Sequence, residues 1–142
     1  MAHPNDVAVN HVFELEVVTP QKSVFSREIE SFTAPGAEGS FEVLRNHAPF
    51  LSTIAVGMVK IVDQSGNVLL CSTSGGFVEV NHNHVSFLAE TFEKKEEIDV
   101  SRAASAKERA EQRLRDREPG IDIARAQASL LRALNRLKVA GK

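Results

Sequence analysis

Four arginines in the C-terminal third of the chain have the residue type and spacing of a phosphate-binding site. Arg109 follows Arg102 by seven residues. Arg132 and Arg136 follow Arg125 by seven and eleven residues, so each helix would carry arginines along one face. A guanidinium offers a rigid fork of donors that matches phosphate oxygens. A folded hairpin would bring four guanidinium groups to one phosphate chain, but rows of charge are also typical of solvated helix faces, so the spacing alone leaves both interpretations open.

A six-residue motif occurs twice in this region. Residues 98–103 read Ile-Asp-Val-Ser-Arg-Ala, and residues 121–126 read Ile-Asp-Ile-Ala-Arg-Ala. The aspartate is a favourable N-cap, because its carboxylate accepts a hydrogen bond from the first helical turn. The arginine three residues later lies at the positive end of the helix dipole, which disfavours it by a few tenths to about 1 kcal/mol. Either the aspartate compensates this arginine, or an anion lies beside it.

The two motifs begin two predicted helices that form a hairpin. The first should run from about residue 100 to 117 and end at residues 118–120, which read Glu-Pro-Gly. The second has an apolar stripe of Ile123, Ala126, Leu130, Leu134 and Leu137, and the first presents Ala103, Ala106, Ala110 and Leu114. Alanine buries little area at about 25 cal/mol per Å². The hairpin is therefore expected to dock marginally and reversibly.

The residues before this tail have the pattern of β-strands. Residues 58–62 and 68–72 flank a turn in which Gly66 supplies a positive φ. Residues 77–80 and 85–88 flank a second short turn in the same way. Strands that follow one another without intervening helices favour antiparallel pairing. Two such sheets would bury most of the eight phenylalanines.

We therefore predict two modules. Residues 1–92 form a mainly β N-terminal sandwich of short antiparallel strands, and residues 93–142 form a C-terminal α-helical hairpin. The first module carries 4 basic and 10 acidic side chains, for a net charge of −6, and the second carries 13 basic and 9 acidic, for +4. Opposite charges favour docking of the hairpin on the sandwich, and they also let the hairpin be drawn to a polyanion.

Several other functions are disfavoured by composition and motif. At 42% hydrophobic and 25% charged, the chain has an ordinary globular composition, and it lacks the run of about 18 apolar residues that a membrane helix requires. Residues 1–6 lack the pattern of a secretory signal. Cys71 lies in an apolar run and is expected to be a buried thiol. His82 and His84 have no third ligand and indicate a turn, and residues 74–76 lack the lysine of a phosphate loop. We expect no metal site and no catalysis.

Several segments in order along the chain resemble the epsilon subunit of bacterial F-type ATP synthases. Residues 35–51, Pro-Gly-Ala-Glu-Gly-Ser-Phe-Glu-Val-Leu-Arg-Asn-His-Ala-Pro-Phe-Leu, are similar to the loop signature of that family, and residues 74–80 are similar to its second signature. Residues 98–103 and 132–137 are similar to its tail segments. The likeness extends from about residue 13 to 139.

The resemblance implies a non-catalytic central-stalk subunit that couples proton or other ion transport to ATP synthesis. Its sandwich would bind the gamma subunit and the c-ring. Its hairpin would fold against the sandwich in one state, and in another extend into the alpha/beta catalytic head and inhibit ATP hydrolysis. ATP would be a regulatory ligand. The implied location is the cytoplasmic face of the bacterial plasma membrane, as a peripheral subunit associated with the membrane only through the complex.

The resemblance also assigns site residues by position. In ATP binding the arginines would meet the phosphates, and the remaining residues would frame the adenine or hold Arg102. The ATP-binding set is Glu93, Ile98, Asp99, Arg102, Ala103, Arg109, Arg132 and Arg136. The c-ring contact set is Ser40, Glu42, His47 and Pro49.

The chain departs from the loop signature of the family at three places. Ser40 stands where an acidic residue is frequent, and Glu42, two residues away on the same strand face, would supply that carboxylate. Glu42 itself replaces a frequent glycine, so its φ is expected to be negative. Arg45 and Asn46 replace a common Pro-Gly pair.

Two other classes of function remain as alternatives. One is a free-standing ATP-sensing module, which purification without gamma, alpha and beta chains would favour. The other is a nucleic-acid binder that uses the basic hairpin. Single-stranded nucleic acids are commonly held by stacking aromatics, and the chain has no Trp or Tyr, so we expect no nucleic-acid partner.

Overall fold

The structure is a computed structural model that describes residues 11–142. Residues 1–6, on which the expectation about a secretory signal rests, lie outside the described residues. The described part has nine strands: β1 (Phe13–Val18), β2 (Ser23–Gly36), β3 (Gly39–Val43), β4 (Phe50–Ile54), β5 (Gly57–Asp63), β6 (Val68–Thr73), β7 (Gly76–Asn81), β8 (His84–Ala89) and β9 (Phe92–Lys94). A 3-10 turn (Lys95–Glu97) leads to helices α1 (Val100–Asp116) and α2 (Ile123–Val139). The predicted class, a β-sandwich followed by a helical hairpin, is confirmed.

The strands form a sheet that closes on itself around one core. Its order is β1-β8-β7-β4-β2-β5-β6-β9, with β3 beside the end of β2 and an added pairing of β1 with β2. The 14 residues of β2 let it pair with β1 along its first half and with β3 and β5 along its second. The pairing of β1 with β8 is parallel, unlike the antiparallel pairing that the sequence indicates. Strands β2 to β7 lie between β1 and β8 in the sequence. Because no tight turn joins β1 to β8, their pairing need not be antiparallel.

The core of the sandwich is made of large side chains. The rings of Phe32 and Phe87 are fully buried and meet edge to face, with centroids 6.1 Å apart. Most of the phenylalanines are buried, as predicted; these are Phe13, Phe25, Phe32, Phe87 and Phe92. Cys71 lies in the same cluster, and burial raises the pKa of its thiol to about 12. It is the small buried thiol that the sequence predicts.

The turns between strands have the predicted chemistry. Gly66 has a φ of 83° in the β5–β6 turn. His82 and Asn83 have φ values of 48° and 60°, as the type I′ turn of a two-residue hairpin requires, so His82 lies in the turn and His84 begins β8. A Cβ atom at Gly76 would collide with the carbonyl oxygen of Leu88. Gly76, the first residue of β7, therefore allows two backbones to approach closely.

Both helices begin at the predicted aspartates. Asp99 accepts a hydrogen bond from the backbone N–H of Arg102 at 3.0 Å, and Asp122 accepts one from that of Arg125 at 3.0 Å. The first helix ends within one residue of the predicted end. Arg117 follows it in a left-handed conformation with a φ of 44°. The second copy of the motif therefore acts as a helix cap, as the sequence indicates.

The helix interface is made of alanines. Ala103 and Ala110 of α1 are buried, as predicted, and so are Ala126 and Ala133 of α2. The predicted stripe is wrong at Leu134, which is 42% exposed, because the close approach of the helices uses small residues and leaves the larger leucine at the margin. Neither helix in the described range is long and apolar enough to cross a bilayer.

Candidate functional site

A cleft of about 430 Å³ lies where the start of α1, the end of α2 and strand β9 meet. Its walls carry three carboxylates, three guanidinium groups and two alanines. The lining residues are Glu93, Glu97, Asp99, Arg102, Ala103, Ala106, Arg109 and Arg136. The cleft therefore combines side chains from both helices of the hairpin and from the last strand of the sandwich.

The start of α1 forms one wall of the cleft. Ile98 is buried and anchors the chain just before the helix, and Asp99 caps the first turn. Asp99 bonds to the backbone N–H of Arg102, and within residues 11–142 its carboxylate makes no ion pair with the guanidinium group of that residue. Arg102 and Arg109 are exposed, and neither makes an ion pair within residues 11–142. Two guanidinium groups thus line the cleft without a carboxylate partner in the described structure.

An ion pair connects the end of α2 to strand β9. The Nε atom of Arg136 on α2 donates to Oε1 of Glu93 on β9 at 2.6 Å. The two side chains are 29% and 32% exposed, so water screens the pair only in part. This contact fixes the end of the hairpin beside the sandwich.

The structure brings together six of the eight residues that the family resemblance assigns to ATP. Glu93, Asp99, Arg102, Ala103, Arg109 and Arg136 line the cleft. Ile98 is buried behind it. Arg132 is not among the lining residues, and its guanidinium donates to Ser129 Oγ at 3.2 Å. Three arginines therefore converge at the cleft, one fewer than predicted, because the Arg132 side chain bonds to a residue one turn back on its own helix.

Two lining residues were missed by sequence reasoning. Glu97 accepts a hydrogen bond from the backbone N–H of Lys94 at 3.0 Å, which caps the 3-10 turn between β9 and α1. The cluster of charged residues at 93–97, Glu-Lys-Lys-Glu-Glu, was the available signal. Ala106 lies three residues after Ala103, on the same helix face, and was assigned only to the helix interface.

The residues assigned to the c-ring lie on β3 and on the loop that follows it. Ser40 and Glu42 are both exposed on β3, and Glu42 accepts a bond from Ser31 Oγ at 3.4 Å. Its φ is not positive, as expected after the loss of glycine. His47 is half-buried with its ring 5.7 Å from that of Phe50, and Pro49 is exposed.

The substituted Arg45-Asn46 pair ties this loop to the sandwich. Asn46 has a φ of 66°, a conformation that the common glycine of the family would adopt without strain. Its backbone N–H donates to Asn83 Oδ1 at 2.6 Å, and Asn83 Nδ2 donates back to Asn46 Oδ1 at 3.1 Å. Arg45 donates to the carbonyl oxygen of Val12 at 2.9 Å. Hydrogen bonds thus compensate for a residue that is less favourable than glycine at this φ.

An exposed apolar face occupies three neighbouring strands of the sandwich. Leu51 on β4, Phe77 on β7 and Leu88 on β8 are 62%, 41% and 57% exposed. Phe77 lies directly opposite Leu88 on β8 and opposite Thr53 on β4 in the strand register. Leu51 is two residues from Thr53, so its side chain lies on the same side of the sheet. Glu79, the register partner of Leu51, is exposed on the same side. Exposed apolar residues grouped on one face are typical of protein interfaces.

Comparison with known proteins identifies the family. The ATP synthase delta/epsilon chain β-sandwich domain matches residues 12–95, and the long α-helix domain of the same chains matches residues 96–141. The ATP synthase epsilon chain of Desulforamulus reducens is 45% identical over 89% of this chain and 95% of its own length. That of Nitratidesulfovibrio vulgaris strain DP4 is 49% identical over 89% and 94%.

A solved structure has the same fold. A chain in the cryo-EM structure of the Euglena gracilis mitochondrial ATP synthase, described as OSCP, F1 and c-ring, superposes with a TM-score of 0.76 and 21% identity, over 93% of this chain and 82% of that one. The class is thus the delta/epsilon chains of ATP synthase. Within it, this chain belongs to the epsilon chain family, whose members are non-catalytic stalk subunits.

Proposed function

We propose that this subunit couples ion transport to ATP synthesis through contacts with gamma and the c-ring, and that its hairpin makes ATP hydrolysis sensitive to ATP. The subunit would act at the cytoplasmic face of the bacterial plasma membrane, held there by the complex. The observation that carries the regulatory part is the cleft in which Arg102, Arg109 and Arg136 converge from two helices.

The arrangement of the cleft suits a polyphosphate with an attached base. Arg102 and Arg109 have no ion pair within residues 11–142, so phosphate oxygens would supply the negative charge that these two guanidinium groups lack as a partner. Glu93 and Asp99 would meet the donor groups of the adenine and ribose. A ligand that touches α1, α2 and β9 together binds the docked hairpin better than an undocked one, and so shifts the population toward docking.

The undocked hairpin would be the inhibitory form. Within residues 11–142 only Asn135 and Arg136 make side-chain hydrogen bonds from the hairpin to the sandwich, and the two helices meet through alanines that bury little area. The docked and extended states are therefore expected to differ by only a few kcal/mol. When ATP is scarce, the hairpin would extend toward the alpha/beta head and inhibit hydrolysis. When ATP is plentiful, binding in the cleft would keep the hairpin down.

The two surfaces of the sandwich suit two different partners. The apolar face of Leu51, Phe77 and Leu88 would pack against gamma, because contiguous apolar area is stabilising only when it is covered. The polar end at Glu42 and His47 would meet the polar loops of the c-ring.

Calorimetric titration of the isolated chain with ATP tests the nucleotide site. The double variant Arg102→Ala, Arg109→Ala removes two phosphate contacts and leaves the Glu93–Arg136 pair intact, so affinity should fall by at least about 100-fold. Arg113→Ala, an exposed arginine of α1 outside the cleft, is the matched control and should bind as the wild type does. Absence of saturable wild-type binding at millimolar ATP would refute the nucleotide role.

A separate variant, Arg132→Ala, tests whether the fourth arginine takes part. If Arg132 swings from Ser129 toward the phosphates on binding, the variant should bind ATP about tenfold more weakly. If its affinity equals that of the wild type, the site uses three arginines.

Reconstitution with purified gamma tests the apolar face. Phe77→Glu and Leu88→Glu should weaken the complex, because a charge at a covered apolar position is not solvated. Val68→Glu, at an exposed position on β6 outside this face, is the control. Equal binding by all three variants would mean that gamma docks elsewhere.

A further inference from the structure

We infer that Asn135 is a positioning residue that holds the hairpin on the sandwich and thereby keeps the nucleotide cleft assembled before any nucleotide binds. Its regulatory consequence rests on the proposed ATP-sensing function, whereas its docking role stands on contacts in the structure.

The side-chain amide of Asn135 bridges two strands. Its Nδ2 atom donates to the carbonyl oxygen of Gly57 on β5 at 2.8 Å and to the hydroxyl of Ser72 on β6 at 3.0 Å. Asn135 is half-buried, and Ser72 is only 3% exposed. One NH₂ group thus uses both of its hydrogens on the sandwich.

Few other contacts of this kind join the two modules. Among residues 11–142, the side-chain hydrogen bonds between the helices and the sandwich come only from Asn135 and its neighbour Arg136. The partner of Arg136 lines the cleft, so a bound polyphosphate competes for that arginine. The partners of Asn135 lie outside the cleft lining, so its contacts persist whether or not the cleft is filled.

Removing this amide penalises only the docked state. When the hairpin is undocked, water satisfies the Gly57 carbonyl and the Ser72 hydroxyl. When it is docked without Asn135, the buried Ser72 hydroxyl and the carbonyl of the half-buried Gly57 both lack this donor, which is costly for polar groups removed from water. The ratio of docked to undocked hairpin should therefore fall about 5- to 30-fold, the effect of two ordinary hydrogen bonds.

The first test compares Asn135→Ala with Gln127→Ala in the full chain without nucleotide. Gln127 is an exposed amide on the same helix, so both variants lose a polar side chain and gain helix propensity. Asn135→Ala should raise hydrogen-exchange rates in the hairpin about 5- to 30-fold and increase the radius of gyration by small-angle scattering. Gln127→Ala should match the wild type. Identical behaviour of the two variants would overturn the inference.

A double-mutant cycle with Ser72→Ala distinguishes the bridge from a general loss of stability. The effect of Asn135→Ala should be smaller in the Ser72→Ala background, since one of its two bonds is already absent. Fully additive effects would contradict a direct bridge.

ATP separates the two proposals. If the cleft binds ATP, saturating ATP should restore compactness to Asn135→Ala, with an apparent dissociation constant raised in proportion to the lost docked fraction. Binding without restored compactness would overturn the link between Asn135 and the cleft. Absence of ATP binding in the wild type, with Asn135→Ala still expanded, would refute the nucleotide role and leave the docking role standing.

Discussion

The sandwich and the hairpin differ in what they bury. The sandwich core contains Phe32, Phe87 and Ile61 at 0% exposure, and strand pairing surrounds them. The hairpin buries chiefly alanines between its helices, and two neighbouring polar residues supply its side-chain hydrogen bonds to the sandwich in the described structure. Burial of a large side chain contributes about 1.5–3 kcal/mol, and alanine much less. The sandwich is therefore expected to be held together more strongly than the hairpin is held against it.

The largest effect is expected in the sandwich. Phe32→Ala should lower the free energy of unfolding by about 3–5 kcal/mol, because a fully buried ring leaves a cavity. Leu131→Ala, at a position 54% exposed on α2, should change it by less than about 0.5 kcal/mol. Urea unfolding followed by circular dichroism measures both. If Phe32→Ala does not fold, Ile61→Val, expected at about 0.5–1.5 kcal/mol, makes the same comparison. Similar changes in the free energy of unfolding for the core variant and the hairpin variant would contradict the difference between the sandwich and the hairpin.

A smaller effect, confined to the hairpin, is expected from overpacking its interface. Ala110→Leu should destabilise helix docking by about 1–3 kcal/mol, because α1 and α2 approach closely at this buried alanine. Ala104→Leu, on the exposed side of the same helix, is the matched control. Hydrogen exchange should be faster in the hairpin of Ala110→Leu and unchanged in the sandwich. Faster exchange in both modules would show that they unfold together.

The reactivity of Cys71 provides a third comparison. Burial raises the pKa of this thiol from its ordinary 9.0 to about 12, so little thiolate forms in the folded protein near neutral pH. Labelling by a disulfide reagent should be slow in the native chain and fast in urea. The native rate should be the same in Ala110→Leu, since the sandwich keeps its core when the hairpin loosens. Because the folded pKa is raised, the protonated thiol favours folding below about pH 9, and this contribution is lost as pH rises toward 12.

The smallest expected effect is at the β5–β6 turn. Burial acts to raise the pKa of Asp63, but hydrogen bonds from Asn67 and Ser65, together with the charge of Arg27, lower it on balance. The carboxylate therefore favours folding above its ordinary pKa of 3.8, and this contribution disappears as pH falls through the lowered value. Asp63→Asn should flatten the acid limb of the stability curve, and NMR titration of the carboxyl should give a midpoint below 3.8 in the wild type.

Local features were predictable because they depend on residues close in sequence. Asp99 and Asp122 cap helices, Gly66 adopts a positive φ, and residues 82–83 form a two-residue turn, each through contacts within a few positions along the chain. The succession of strand segments without intervening helices similarly indicated a sandwich with buried phenylalanines.

The parts of the prediction that differ from the structure depend on how elements pack. Leu134 fits a helical stripe, but the interface uses alanines where the helices approach most closely. Arg132 has the spacing of a cleft residue, yet its guanidinium bonds to Ser129 on its own helix. Spacing defines which face of a helix a residue occupies and does not define its rotamer or the neighbour that this face meets.

By itself, the sequence determined the strands and turns of two hairpins, the two capped helices and the family to which the chain belongs, because periodicity, capping and motif are properties of neighbouring residues. Only the tertiary structure decided which charges share a cleft. Glu93 meets Arg136 across 43 positions, and Asn135 meets Gly57 across 78. Such contacts exist only after the sandwich has closed and the hairpin has docked in one orientation, because that packing alone brings distant side chains within hydrogen-bond range.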